Sequence, residues 1–262
     1  MGELSAPPRI GATTGDVEAL GDGPLALFLD VDGTLVDLAE RPDLVVMPAG
    51  LVGTLKATER KLAGALALIS GRTIDDLDRL FEPLRLRASG VHGAEMRFDP
   101  GGPAISTSAP SELPRSLVKA VTRAVEAFPG VFVENKRFSI SVHYRQAPAA
   151  ERPVRETVMR LIDFSRAPVE VMKAHCAIEL KAPGFDKGGA IAAFLSTPAF
   201  RGRTPVFVGD DATDESGFAV VAARGGNGYS VGRQLPGAIG VFSEPRAVRD
   251  WLVEFAARGG GS

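Results

Sequence analysis

The sequence predicts an α/β fold, a parallel sheet between helices interrupted by an α+β insert. Two observations carry this expectation. Short, wholly apolar runs recur, each followed at once by a polar, glycine-bearing loop, as at Leu25–Leu29, Leu66–Ile69 and residues 205–208. A short strand with no polar face is buried on both sides, as in a parallel sheet under helices. The pattern then changes over residues 109–182, where helix, two strands, helix and two strands follow in order. The expected organisation is a flexible N-terminal segment (1–23), a core built from 24–108 and 183–258, and the insert at 109–182.

Composition bounds what the chain can do. Its 262 residues are 45% hydrophobic, enough for a substantial core, and its length allows one large domain or two smaller ones. No apolar stretch approaches the roughly 18 residues that a membrane span needs. Residues 1–23 have neither a basic start nor a continuous apolar segment, so no secretory signal is expected. The single cysteine, Cys176, excludes an internal disulfide and fits a reducing, cytoplasmic setting. A net charge of −2 gives no general attraction to nucleic acid or to a membrane. The expected partner is a small molecule, held by local design, and the expected state is a monomer.

The first strand ends in Asp30-Val31-Asp32-Gly33-Thr34. Side chains alternate along a strand, so Asp30 and Asp32 leave its carboxyl end on the same side, and Gly33 permits a sharp turn. Such a pair could hold Mg²⁺, divide the work of nucleophile and proton donor, or simply close a strand as turn residues. The second strand runs into Ser70-Gly71-Arg72-Thr73. A hydroxyl and free amides at a strand-to-helix turn suit a phosphate oxygen, and Thr73 with Asp76 resembles a capping box.

Within the insert, Leu117, Val121, Val125 and Phe128 mark a helical stripe, followed by a strand at 131–133. Asn135-Lys136 then forms a turn. In the next strand Phe138, Ile140, Val142 and Tyr144 alternate with Ser139, Ser141 and His143, which places His143 on the outer face or in a site. A helix over 153–164 buries Val154, Val158, Leu161 and Ile162, and strands follow at 169–171 and 177–180. The core pattern resumes at Asp186, which reads as an N-cap with Lys187 in the first helical turn. A lysine there opposes the helix dipole by roughly 0.3–1 kcal/mol, a penalty that a bound anion would reverse and that an exposed lysine would equally tolerate. The last strand leads into Asp210-Asp211-Ala212-Thr213-Asp214-Glu215, four acids in six residues. Helix capping by Asp211 or Asp214 accounts for one or two of them, and a divalent cation would relieve the repulsion among the rest.

Taken in order, these four stretches resemble the four signatures of the haloacid dehalogenase (HAD) superfamily. Further phrases are similar to the trehalose-6-phosphate phosphatase family within it: Gly90-Val91-His92-Gly93-Ala94-Glu95, Ser141-Val142-His143-Tyr144-Arg145, Ile178-Glu179-Leu180-Lys181 and residues 205–221. The likeness covers about 24–255. Val31 stands where the family more often has an aromatic residue, and Ala182 where proline is commoner.

The resemblance implies a Rossmann-like core with an α+β cap that sets specificity. It also implies Mg²⁺-dependent hydrolysis of trehalose 6-phosphate, in trehalose biosynthesis, through an aspartyl-phosphate intermediate. On this basis Asp30 is the expected nucleophile, Asp32 the acid–base and Lys187 the charge-balancing cation. Thr34, Ser70, Gly71 and Lys187 would hold phosphate. Asp30, Asp32 (through its carbonyl) and Asp210 would hold the metal, with Asp211 and Asp214 supporting them. Arg72, His92, Gly93, Glu95, Glu134, Lys136 and Glu179 would meet the sugar, although Glu134 and Lys136 also suit a solvated hairpin. Sucrose phosphate and mannosyl-phosphoglycerate are alternative substrates. A catalytically silent phosphosugar-binding module is a further alternative, disfavoured because Asp30 is present with its partners.

Overall fold

The computed structural model describes residues 24–106, 112–174 and 176–258, so the expectation for residues 1–23 lies outside the described residues. Five strands precede the insert: β1 (Leu25–Leu29), β2 (Leu66–Ile69), β3 (Arg87–Gly90), β4 (Glu95–Arg97) and β5 (Ile105–Ser106). The insert contributes β6 (Phe132–Asn135), β7 (Ser139–His143), β8 (Glu170–Ala174) and β9 (Ala177–Lys181). After it come β10 (Thr204–Gly209), β11 (Asn227–Val231) and β12 (Gly240–Phe242). The helices are α1 (Leu51–Lys61), α2 (Ile74–Leu80), α3 (Arg115–Val125), α4 (Glu151–Ser165), α5 (Lys187–Leu195), α6 (Glu215–Ala223) and α7 (Pro245–Ala257).

The core sheet has eight strands in the order β12-β11-β10-β1-β2-β3-β4-β5. All pairs from β12 to β3 are parallel, and β4 and β5 close one edge antiparallel. From β1 the chain moves outward through β2 and β3, and it later returns to β10 on the other flank of β1. The strand order therefore reverses between β1 and β10, the place where open α/β sheets form a ligand crevice beyond their carboxyl ends. The apolar runs read as strands are buried: residues 26–29 and 66–69 are at most 2% exposed. Phe28 at the centre packs its ring against Phe200 and Phe194, with centroids 5.2 and 6.2 Å apart. Among the described residues, no helix is long and apolar enough to cross a membrane.

The insert is an α+β layer whose sheet runs β6-β7-β9-β8, antiparallel throughout. Leu117, Val121 and Val125 of α3 and Val154 and Val158 of α4 bury against Ile140, Val142, Ile178 and Leu180 of the sheet. Several details differ from the pattern in the sequence: Leu161 and Ile162 stay only partly buried, and Asn135 pairs with Ile140 as the end of β6 instead of forming the turn. Helix α3 ends at Val125, so Phe128 packs from the turn beyond it and stays only partly buried. Ser139 and Ser141, on the polar side of β7, are also buried, and Ser141 lines the crevice toward the core instead of facing water.

Candidate active site

Asp30 leaves β1 with its amide donating to the carbonyl of Val208 (2.9 Å), which ties it to β10 at the strand-order reversal. The chain then turns through Gly33 at φ +79°. A Cβ at Gly33 would sit 2.2 Å from Oδ2 of Asp210. Both the left-handed backbone and the close approach of Asp210 therefore exclude a larger side chain. Gly33→Ala is expected to displace Asp30 and Asp210 relative to each other and to lower kcat by about 100-fold, as misplacements near 1 Å do. Steady-state phosphate release against thermal melting checks this, since a mere folding defect would lower both in step.

Lys187 lies at the start of α5, where the side chain of Asp186 accepts from the amide of Gly189. Its Nζ is 3.0 Å from Oδ1 of Asp30 and 2.6 Å from Oδ1 of Asp214. The other oxygen of Asp214 accepts from the amides of Asp210 (2.9 Å) and Asp211 (3.0 Å). Asp211 caps the short turn Ala212–Asp214 by accepting from the amide of Thr213 (2.8 Å). Capping thus accounts for Asp211 and Asp214 and leaves Asp30 and Asp210 as the acids without such a role.

Burial raises the Asp30 carboxyl well above its usual range; Lys187 opposes this, while Asp214, Asp210 and Asp211 add to it. Asp210 is pushed up to about 7 by burial and then by the carboxylates of Asp211 and Asp214. Burial works against the charge on Lys187, but Asp214 and Asp30 hold its ammonium well above the ordinary lysine value. One cation faces a surplus of buried carboxylates, a donor set that suits a hard divalent ion. Oxygens of Asp30, Asp210 and Asp214 lie within 4.8 Å of one another. Because both oxygens of Asp214 are already engaged, the side chains left to hold an ion are Asp30 and Asp210.

On the neighbouring strand, Ser70 accepts at Oγ from the amide of Arg72 (3.1 Å), so its own proton is directed elsewhere. Arg72 grips Asp32 with two parallel bonds, from Nε to Oδ2 and from Nη2 to Oδ1, both 2.7 Å. Bidentate pairs of this kind fix orientation as well as charge. His92 sits in a run of left-handed residues, with φ of 47° at Val91, 54° at His92 and 114° at Gly93. Its ring covers Gly71, where a Cβ would come within 2.7 Å of it.

The insert supplies the opposite wall. Glu134 on β6, Ser141 on β7 and Glu179 on β9 are in register, so they form one row across the sheet. All three line the cleft, together with Lys136 and His143. Nε2 of His92 lies 3.0 Å from Oε2 of Glu179, which links core to insert. Burial works against ionisation of Glu179, yet His92 and Lys136 hold its carboxyl well below the usual range. Oε2 of Glu134 is 2.9 Å from Nε2 of His143 and 3.6 Å from Nζ of Lys136.

Asp30, Asp32, Ser70, Gly71, Arg72, Lys187, Asp210 and Asp211 line the same cleft as His92, Glu134, Lys136 and Glu179. Asp214 lies fully buried behind it. Three residues expected at the site stand apart. Thr34 is buried within the turn after Asp32. Glu95 turns its Oε2 to the amide of Ile74 (2.9 Å), helping Thr73 cap α2. Gly93 packs against the backbone of Asp186, where a Cβ would meet the carbonyl oxygen at 2.6 Å. Leu38, Ala39, Arg41 and Val45 from the loop before α1 also line the cleft, as do Ser141, Arg145 and Thr213, which the motifs contain without assigning them a role. Arg145 donates to the carbonyl of Ala39, and the Arg41 guanidinium lies 4.9 Å from the centre of the Phe132 ring. Arg145 belonged to a recognised phrase, whereas the loop residues have no periodicity to mark them.

A family model described as trehalose-phosphatase matches residues 28–235. The chain belongs to the trehalose-phosphatase family. It is 40% identical over 207 residues to the trehalose-6-phosphate phosphatase of Escherichia coli (strain K12), covering 79% of this chain and 77% of the relative. The C-terminal domain of a C. albicans trehalose-6-phosphate phosphatase has the same fold, with a TM-score of 0.82 at 21% identity over 96% of this chain and 99% of that one. A phosphatase of the haloalkanoate (HAD) enzyme superfamily from Bacteroides thetaiotaomicron also shares the fold, with a TM-score of 0.60 at 14% identity, over 88% of this chain and 93% of that one. This trehalose-phosphatase family member is thus a phosphatase, a hydrolase of phosphoric monoesters, whose α/β core with an inserted α+β cap has the fold of a HAD-superfamily phosphatase.

Proposed function

We propose that this phosphatase hydrolyses trehalose 6-phosphate to trehalose and inorganic phosphate in the cytoplasm, through an aspartyl-phosphate on Asp30 and with Mg²⁺ as its metal. One observation supports the reading: Asp30 and the row of polar cap side chains lie on facing walls of a single cleft. Asp30 with Lys187 lies on the core wall, and Glu134, Ser141 and Glu179, with Lys136 beside them, lie on the cap wall. Carboxylates and a lysine suit a surface covered in hydroxyls, because each can bond to more than one of them.

In this mechanism Lys187, together with the divalent cation when it is bound, would hold Asp30 ionised against its burial, and an Asp30 oxygen attacks phosphorus as the bond to the sugar oxygen breaks. Asp32, once parted from Arg72 and protonated from solvent, gives that proton to the departing oxygen. It then takes a proton from water, which attacks phosphorus and releases phosphate from Asp30. For Asp32 to act, the Arg72 fork that holds both its oxygens must let go, and the incoming phosphosugar provides Arg72 with another anion. Ser70 donates to a phosphate oxygen. Asp30, Asp210 and the main-chain carbonyl of Asp32 would hold Mg²⁺, which when bound neutralises charge on the phosphoryl oxygens. About 150 Å³ is open between the walls.

Phosphate release from trehalose 6-phosphate, sucrose phosphate, mannosyl-phosphoglycerate and p-nitrophenyl phosphate tests the substrate. Preference for either rival sugar ester would overturn it. Glu134→Ala and Glu179→Ala are each expected to lose about 100-fold in kcat/KM on trehalose 6-phosphate, and far less on p-nitrophenyl phosphate, which has no hydroxyls to hold. Equal losses on the two esters would mean that these glutamates support the cap and not the sugar.

A further inference from the structure

Glu134 does not stand alone on its strand. Phe132 and His143 are paired residues across β6 and β7, and their rings stack with centroids 4.7 Å apart and planes 18° from parallel. A stacked imidazole cannot swing freely, so the direction of its ring nitrogens is set. Nε2 then lies 2.9 Å from Oε2 of Glu134, and the same oxygen faces Nζ of Lys136 at 3.6 Å. Arg41, from the core loop before α1, places its guanidinium 4.9 Å from the centre of the Phe132 ring.

We propose that His143 is a positioning residue for Glu134: it fixes Oε2, and the second oxygen is thereby presented to a sugar hydroxyl. Phe132 fixes His143 in turn, and Arg41 ties the stack to the core when the cap lies over the cleft. This inference rests on the reading that Glu134 grips the sugar. The supporting physical reason is that a carboxylate with one oxygen bonded loses much less rotational freedom on binding ligand than a free one. The hydrogen bond from His143 also holds the Glu134 carboxyl below its usual range against the effect of burial, so the group is an acceptor when the sugar arrives.

The test compares His143→Phe, which keeps the stack and loses the hydrogen bond, with His143→Gln, whose amide nitrogen can reach the place of Nε2. His143→Asn, too short to reach, is a second disrupting variant should the phenylalanine fail to fold. The readout is the ratio of kcat/KM on trehalose 6-phosphate to that on p-nitrophenyl phosphate, measured alone and in a Glu134→Gln background. His143→Phe and His143→Asn are expected to lower the ratio about tenfold, the scale of a lost hydrogen bond to a charged group. His143→Gln should restore most of it. In the Glu134→Gln background the same changes should add less than about twofold, because residues acting through one another are not additive. A wild-type ratio in His143→Phe or His143→Asn, in an enzyme where Glu134→Gln has lost selectivity, overturns the positioning role. Fully multiplicative losses overturn it too, since His143 would then act independently. If Glu134→Gln itself keeps wild-type selectivity, the sugar reading of Glu134 falls first and this inference falls with it.

Discussion

Asp30→Asn is expected to abolish turnover, with kcat down by at least about 10⁴-fold, the scale seen when a covalent nucleophile is removed. The amide keeps the shape of the carboxylate and has no oxygen able to form the ester to phosphorus. Folding should survive. Burial and the neighbouring carboxylates already work against the charge on Asp30, so its removal relieves that strain. Lys187 keeps its 2.6 Å partner in Asp214, so no buried ammonium is stranded. The checks are phosphate release, the melting temperature, and identification of the residue that carries phosphoryl in the wild type. A label on any other residue would refute the assignment.

Removal of divalent cations should produce a loss of comparable size. EDTA is expected to abolish activity and Mg²⁺ to restore it, because Asp30 and Asp210 have been brought together without enough positive charge to offset them. The ion requires Asp210 ionised. With its carboxyl pushed up to about 7, protons should compete for the site, so apparent Mg²⁺ affinity should weaken steadily as pH falls below about 7. Mg²⁺ titrations of activity across this range measure the effect. Undiminished activity in rigorously demetallated protein would rule out the metal.

What the sequence disclosed about the site followed from local order. Asp30, Ser70 and Asp210 each come directly after a strand whose burial is written in four or five adjacent apolar residues, and Lys187 follows an N-cap. Their convergence then depends on three neighbouring strands, β2, β1 and β10, ending at the same edge. Glu95 was not legible in this way, because its partner is an amide 21 residues away, on an element whose position only the fold decides. The loop carrying Leu38 and Arg41 has neither period, and β5 is an exposed two-residue strand with no apolar stripe to announce it. The burial of Ser139 and Ser141 was equally hidden, since alternation shows which face of β7 is apolar and not what covers the other.

The apolar cluster inside the cap contains Val91, Ala94 and Phe185, none of which belongs to residues 109–182. Val91 is held in the core by its amide, which donates to the carbonyl of Arg72, while its side chain is part of the cap's interior. The two bodies therefore share hydrophobic substance and are joined by more than the continuity of the chain. A cap cut out along its own segment would open a hole where these three side chains had been. Recombination between relatives would meet the same boundary: if the cap sets selectivity as proposed, a transplanted cap would carry it intact only with the residues beneath it, and specificity would be inherited by a patchwork of sequence instead of a single cassette.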